Sequence, residues 1–423
     1  MTLLFCIAIA LFAGLMMTRL ANKIHLPAVT AYLVAGILIG PYCLGQLGVE
    51  GLGFTSREEV TNLSILSEIA LGFIAFAIGN EFRVSQLKKI GSQATIIAVF
   101  QALSATVLVD LSLLGLHFML GEKLPVTAVL MLGAVATATA PAATMMVVNE
   151  YKAKGPLVDL LLPIVALDDA VGLVVFAVSF GVARAMSVGQ FSMAAIILEP
   201  IVEIVLSLAL GAIMGCLFNY FEQFFHSNSK RTSLSVAFVI LTVALSMLEF
   251  EVGGIHVGFS SLLVCMMMGT VFCNICDYSE ELMNRVDNWT TPVMALFFVL
   301  SGAELELNVF LDVAIVGIGV VYIVFRSCGK YFGAAVSSRL TGCSPAIQKY
   351  LGITLLPQAG VALGMSLKAL QLPGAGDLVR NVTLFSVLVY ELVGPLATKT
   401  ALLAAGEIDE SGKKSSRVPN QRA

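Results

Sequence analysis

Charge is scarce in this chain. Only 12% of its 423 residues are Asp, Glu, Lys or Arg, 58% are hydrophobic, and mean hydropathy is +0.93. No water-soluble domain of this length buries so much apolar surface, so the scarcity excludes one and leaves a polytopic, all-α membrane protein. The net charge of -4 adds little, because placement matters more than the sum, and no nucleic-acid partner is expected. Cysteine offers no framework either: the eight copies lie mostly inside apolar segments, which argues against disulfides. Cys273-Asn274-Ile275-Cys276 lacks a second pair and a nearby histidine, so zinc is not expected there. Met1 to Leu20 has no basic leading segment and no Ala-x-Ala site, and reads as a first membrane helix and not a removed signal. Residues 1–404 are expected to form one transmembrane domain in contact with lipid. Residues 405–423 are polar, with Ser415, Ser416 and Pro419, and are expected to be a short disordered cytoplasmic tail. Such a tail is too short for a regulatory nucleotide-binding domain, and no cofactor is implied.

Apolar runs and their breakers give about 13 spans, near 2–20, 27–40, 61–80, 91–116, 125–149, 157–184, 194–222, 231–248, 255–272, 290–302, 309–338, 345–370 and 378–402. The second and tenth are short for a bilayer core about 30 Å thick, which takes about 20 helical residues. Lysine and arginine set the orientation. With the amino terminus outside, inner loops hold Arg19, Lys23, Arg83, Lys88, Lys89, Lys152, Lys154, Lys230, Arg231, Arg285, Arg339, Lys349 and Lys399. Outer loops then hold only Arg57, Lys123, Arg184, Lys368 and Arg380. The bias places the carboxyl terminus in the cytoplasm.

Against this background stands Leu167-Asp168-Asp169-Ala170, in the middle of an apolar stretch from Leu157 to Arg184. A charge at the centre of a lipid-spanning helix costs a few kcal/mol on insertion scales, of order 3. Two adjacent ones, with no cation among their helical neighbours, make sense as a proton and cation site. Neighbouring residues point about 100° apart on a helix, which implies a division of labour: one carboxylate faces a cavity and the other an internal partner. A hard cation such as Na+ or Li+ wants oxygen ligands. Proton and cation competing for one carboxylate would give obligatory exchange.

Thirteen spans divide as six, one and six, with 194–222 as the odd helix. Halves so separated have opposite orientation, the arithmetic of an inverted repeat, whose sites lie where broken helices cross near the midplane. The fifth span of each half carries a breaker: Thr137-Ala138-Thr139-Ala140-Pro141 in one, Pro357-Gln358-Ala359-Gly360 in the other. Proline removes a donor and clashes with the preceding turn, so each helix is expected to open there. Counting rise along each span puts Asp169, Thr139, Lys330 and Gln358 at depths of about 18, 16, 14 and 20 Å. Four spans thus bring polar groups to one plane.

These stretches resemble the monovalent cation:proton antiporters, in the branch of bacterial Na+/H+ exchangers and K+ efflux systems. The resemblance runs through Leu26-Pro27, Gly36 to Pro41, Ser67 to Ala70, Ile78 to Glu81, Thr137 to Pro141, Leu162 to Asp169, Phe297 to Gly302, Arg326-x-x-Gly329-Lys330-x-x-Gly333 and Pro357 to Gly364. It implies a secondary antiporter of the bacterial inner membrane, exchanging H+ for Na+ or Li+, with K+ as the alternative. It further implies a six-helix core domain that carries the ion, and a scaffold that dimerises and against which the core moves. On the same basis Asp169 resembles the ion- and proton-binding carboxylate, and Asp168 its neighbour, which pairs with a lysine in electrogenic members. Lys330 stands where that lysine would be; alternatively Arg326 neutralises the helix ends and Lys330 is partly structural. Thr137 and Thr139 match the unwound stretch that lends oxygens, and Pro357 and Gln358 the second broken helix.

The remaining groups read as structural. Glu68 and Glu391 are expected to hold helices together or line access routes, and Asp110 to be solvated near an outer helix end. Glu199 and Glu203 suit a dimer interface or lipid headgroups, and His117 and His256 an exposed outer surface. Gly374-Ala375-Gly376-Asp377 matches the G-x-G-D element of intramembrane aspartyl proteases. Pro373 and the glycines place Asp377 in a short outer loop, however, and the Tyr-Asp partner is missing, so no enzyme is expected. A sodium-coupled organic-anion symporter shares the crossover but lacks paired aspartates.

Overall fold

The computed structural model describes residues 3–23, 28–49, 52–140, 144–145, 147–148, 151–187, 193–248, 250–252, 255–305 and 313–408. Pro27, Pro141, Glu150 and the tail from 409 onward lie outside the described residues. The elements are α1 (Leu3–Lys23), α2 (Ala28–Ile39), α3 (Arg57–Thr61), α4 (Ser64–Glu81), α5 (Val84–Leu120), α6 (Val126–Val135), α7 (Pro156–Ser187), α8 (Met193–Glu222) and α9 (Asn228–Ser246). A hairpin of β1 (Phe250–Val252) and β2 (Ile255–Val257) follows, then α10 (Ser261–Ile275), α11 (Ser279–Ala303), α12 (Val313–Leu340), α13 (Pro345–Thr354), α14 (Gly360–Ala369) and α15 (Gly376–Ala404).

Among the described residues, eight helical stretches are long and apolar enough to cross a bilayer, and three shorter apolar helices join them. The thirteen expected spans do not map onto these one for one. The ninth was expected to be helical from 255; instead Ile255-His256-Val257 pairs antiparallel with Phe250-Glu251-Val252. Two β-branched residues flanking a polar one suit a strand better than a helix. Helix α10 begins only at Ser261, where the Ser260 side chain accepts from Leu263 N. The tenth span is the apolar end of a 25-residue helix, α11, whose polar start is held by Glu280 and Glu281 in its first turn and by the Arg285–Glu281 pair at 2.6 Å.

Packing sorts the helices into two bundles. In one, α5, α6 and α7 pack together, α12 lies along α5, and α13, α14 and α15 close the group. In the other, α2 packs on α1 and α11, and α4 on α10 and α11. Helix α8 touches both, through α10 and α7. With no hydrophobic drive between helices in lipid, close approach is what holds such bundles. A methyl on Gly36 of α2 would stand 1.9 Å from Val299 O, and one on Gly302 of α11 2.1 Å from Leu33 O.

Three ion pairs join the bundles at one end: Glu68–Lys368 at 2.6 Å, Glu304–Arg380 at 2.7 Å and Arg57–Asp377 at 2.6 Å. At the other end, the segment expected to begin a disordered tail is ordered through residue 408. Glu407 caps α7: its carboxylate accepts from Leu157 N at 2.6 Å and Val158 N at 2.9 Å, and Ile408 is buried. A carboxylate there answers the unpaired N–H groups and the positive end of the helix dipole.

Candidate functional site

The spacing Arg326-x-x-Gly329-Lys330-x-x-Gly333 puts two cations on one stripe of α12 and two glycines on the neighbouring one, each four residues apart. The glycine stripe meets α5. A methyl on Gly329 would lie 2.6 Å from Ala105 Cα, and one on Gly333 2.8 Å from Gln101 Cα. That contact of backbones fixes the cations beside α5 and in front of α6 and α7.

Lys330 is fully buried, and so is Asp168. Lys330 Nζ donates to Asp168 Oδ2 at 2.6 Å, to Thr139 Oγ1 at 3.0 Å and to the Thr137 carbonyl. Thr139 donates its hydroxyl to the same Asp168 oxygen, and Gln101 Nε2 donates to Oδ1. Both oxygens of Asp168 are therefore engaged, by donors on α5, on α12 and on the unwound stretch after α6. A buried pair so bonded meets the condition under which attraction offsets desolvation.

Arg326 is not at Asp168. Its guanidinium donates to Ala136 O at 3.1 Å, Ala138 O at 2.6 Å and Leu356 O at 2.8 Å, with the Tyr390 ring centroid 4.4 Å away. Those carbonyls belong to the carboxyl ends of α6 and of α13, which have no helical N–H to receive. One cation thus answers two negative helix ends where they meet. The two opened stretches touch directly, Ala140 N donating to Pro357 O at 2.9 Å. Gln358 Nε2 donates to Val135 O at 2.9 Å and to Tyr322 OH at 3.0 Å, and its Oε1 accepts from Ser386 at 3.2 Å. Gln358 braces the crossing and does not reach Asp168.

Asp169 is 2% exposed. Thr137 Oγ1 donates to Ala134 O at 2.6 Å and lies 2.6 Å from where a methyl on Gly172 would stand. Gly172 follows Asp168 and Asp169 by four and three residues, so Thr137 sits over the face of α7 that carries the pair. The structure thus gathers Asp168, Thr137, Thr139 and Lys330 into one cluster, with Arg326, Pro357 and Gln358 at the adjoining crossing.

Sequence reasoning missed Gln101, and with it Tyr322 and Ser386. An amide in an apolar run was the available signal. Two structural expectations are corrected. Asp110 is half-buried inside α5, its carboxylate pressed on Gly133, with Oδ1 buried and lacking a hydrogen-bond partner among the described residues. His117 is part-buried, a ring nitrogen 2.7 Å from Leu124 O. Glu391 is buried and accepts from Thr30 at 3.2 Å, while Asp377 is exposed and pairs with Arg57 at 2.6 Å. Glu203 lines a cavity of about 210 Å³ between the bundles, with Phe176, Phe180, Ser260 and Lys368. The side chains of Glu199 and His256 lie outside the described residues.

Comparison with known proteins gives a consistent result. The family model "Sodium/hydrogen exchanger, transmembrane" matches residues 7–404. The Na(+)/H(+) antiporter NhaS4 of Synechocystis is 24% identical over 356 residues, spanning 82% of this chain and 83% of that one. The K(+)/H(+) antiporter subunit KhtU of Bacillus subtilis is 23% identical over 411 residues, spanning 94% and 93%. Among solved structures, the sodium proton antiporter MjNhaP1 of Methanocaldococcus jannaschii at pH 8 superimposes with a TM-score of 0.72 at 16% identity, over 95% of this chain and 97% of that one.

Proposed function

Because the chain belongs to the transmembrane sodium/hydrogen exchanger family, we propose that it exchanges protons for Na+ or Li+ at a mid-membrane site centred on Asp169. The observation that carries this reading is the engagement of Asp168. Three donors hold both its oxygens, so it serves as the internal partner. Asp169, about 100° further round α7, is the carboxylate assigned to the ion, with oxygens of the Thr137–Ala140 stretch as co-ligands. Proton and cation compete for it, and neither direction of movement proceeds with the site empty of both.

The lysine makes exchange electrogenic. With Asp168 and Lys330 balancing each other, the charge carried depends on what Asp169 holds and on whether Lys330 keeps its proton. The bundle that contains α7, α12 and both broken helices moves as the carrier, and the bundle of α1, α2, α4, α10 and α11 forms the scaffold of a homodimer. The amino terminus is outside and the carboxyl terminus in the cytoplasm of a bacterial inner membrane. Potassium is the second reading, supported by the match to a K(+)/H(+) antiporter subunit over 94% of the chain.

The test is cation-induced proton flux in proteoliposomes, comparing Na+, Li+ and K+ across pH. Na+ or Li+ is expected to drive it, and Asp169→Asn to abolish it. Wild-type flux in Asp169→Asn would overturn the assignment. Flux indifferent to an imposed potential would remove electrogenicity, since a unit charge across 100 mV is worth about 2.3 kcal/mol.

A further inference from the structure

We propose that Gln101 is a positioning residue of the exchange site, whose amide N–H fixes one oxygen of Asp168 so that the other stays aimed at Lys330 and Thr139. The proposal rests on the assignment of the ion to Asp169.

Gln101 sits on α5 with no exposed surface. An amide buried in an apolar helix is costly unless its groups are bonded, and a leucine would occupy the position at less cost. Only one end of this amide is served. Nε2 donates to Asp168 Oδ1 and, at 3.0 Å, to Ala98 O on its own helix. Oε1 is buried and has no hydrogen-bond partner among the described residues. The side chain is therefore held for its N–H, and the receiver outside its own helix is Asp168. Its backbone is equally fixed, because Gly333 brings α12 against Gln101 Cα.

The two oxygens of Asp168 face different kinds of donor. Oδ2 meets the ammonium of Lys330 and the hydroxyl of Thr139. Oδ1 meets an amide, which does not titrate in this range. A carboxylate held at one oxygen only would be free to rotate about its Cβ–Cγ bond. The amide bond to Oδ1 prevents the rotation, so Oδ2 stays aimed at Lys330 and Thr139. Gln101 adds a donor without adding a charge, and leaves the count of transported charges to Asp169 and Lys330.

Two substitutions test this in proteoliposomes. Gln101→Met matches the volume but has no donor; flux is expected to fall at least tenfold at every pH while the melting temperature in detergent stays within a few degrees. Gln101→Glu imitates the amide when protonated, donating through O–H, and repels Asp168 when ionised. Its flux relative to wild type at the same pH is expected within twofold at the acid end and at least tenfold down at the alkaline end. A packing role would give a loss independent of pH. Wild-type pH profiles in both variants, or an equal loss in Gln101→Glu at all pH, would overturn the proposal; if Gln101→Met does not fold, the Gln101→Glu profile alone decides. Asp169→Asn is measured alongside. If it retains flux, the site reading itself fails; if it is inactive and Gln101 variants match wild type, only the role of Gln101 falls.

Discussion

Lys330 Nζ lies 2.6 Å from Asp168 Oδ2, with neither side chain exposed to solvent. Two opposite charges have been taken out of water together, and each is tolerable only while the other is present. Removing one partner of such a pair costs about 3–5 kcal/mol, whereas replacing both by neutral groups is often close to neutral. Lys330→Met is therefore expected to lower the melting temperature sharply, and Asp168→Asn with Lys330→Met to recover most of the loss. Melts of the single variant, the double variant and the wild type in detergent check this. Equal losses in the single and double variants would mean the pair contributes nothing as a pair.

Competition at one acid predicts how cation binding depends on pH. Lowering the pH puts a proton where the cation must sit, so the apparent dissociation constant rises as pH falls. The slope approaches about tenfold per pH unit once the empty site is mostly protonated, because one proton leaves for each cation bound. Titration with Na+ or Li+ at several pH values measures it. A constant that does not change with pH would mean that proton and cation occupy separate places.

The contact of α12 with α5 depends on Gly333 lacking a side chain. An added methyl would stand 2.8 Å from Gln101 Cα and 2.8 Å from Ser104 Cβ. Overpacking of this kind costs about 1–3 kcal/mol. Gly333→Leu is expected to lower the melting temperature and to reduce flux together, because it separates Lys330 from Thr137, Thr139 and Asp168. Gly342, at the end of the same helix with no atom near its virtual methyl, is the control position; its positive φ of 74° leaves only backbone strain to be felt there.

Glu407 ties the end of α15 to the start of α7. Loss of an N-cap costs about 0.5–2 kcal/mol. Glu407→Ala is expected to lower the melting temperature by that equivalent, and Glu407→Gln, which keeps one acceptor, by less. Hydrogen exchange at Leu157 and Val158 in the two variants locates the effect: both amides should lose protection in Glu407→Ala.

What could be read from sequence followed from cost. Asp168, Asp169, Lys330 and Arg326 stood out because charge is expensive in an apolar helix, and Pro357 because proline cannot continue one. The breaks after α6 and between α13 and α14 were legible for that reason, and so was the membrane class. Gln101 was not, because a neutral amide costs far less and its partner lies 67 residues away. The β1–β2 hairpin escaped because three-residue strands leave no periodicity to count. Asp110 was placed in solvent from its distance to the helix end, but the chain bends Gly133 of α6 against it, a contact that no spacing reveals. The long polar start of α11 was lost because hydropathy sees only the half that lipid would touch.

The three ion pairs Glu68–Lys368, Glu304–Arg380 and Arg57–Asp377 all fasten the same rim of the molecule. If one bundle slides past the other during exchange, that rim has to come undone. Dissolved salt weakens such fastenings where it can reach them, since at 1 M the screening distance shrinks to about 3 Å. Raising ionic strength on one face of a vesicle should then speed the step that loosens the seam, and the same addition on the opposite face should leave it alone. The protein would carry a sense of sidedness in its fastening as well as in its gradient.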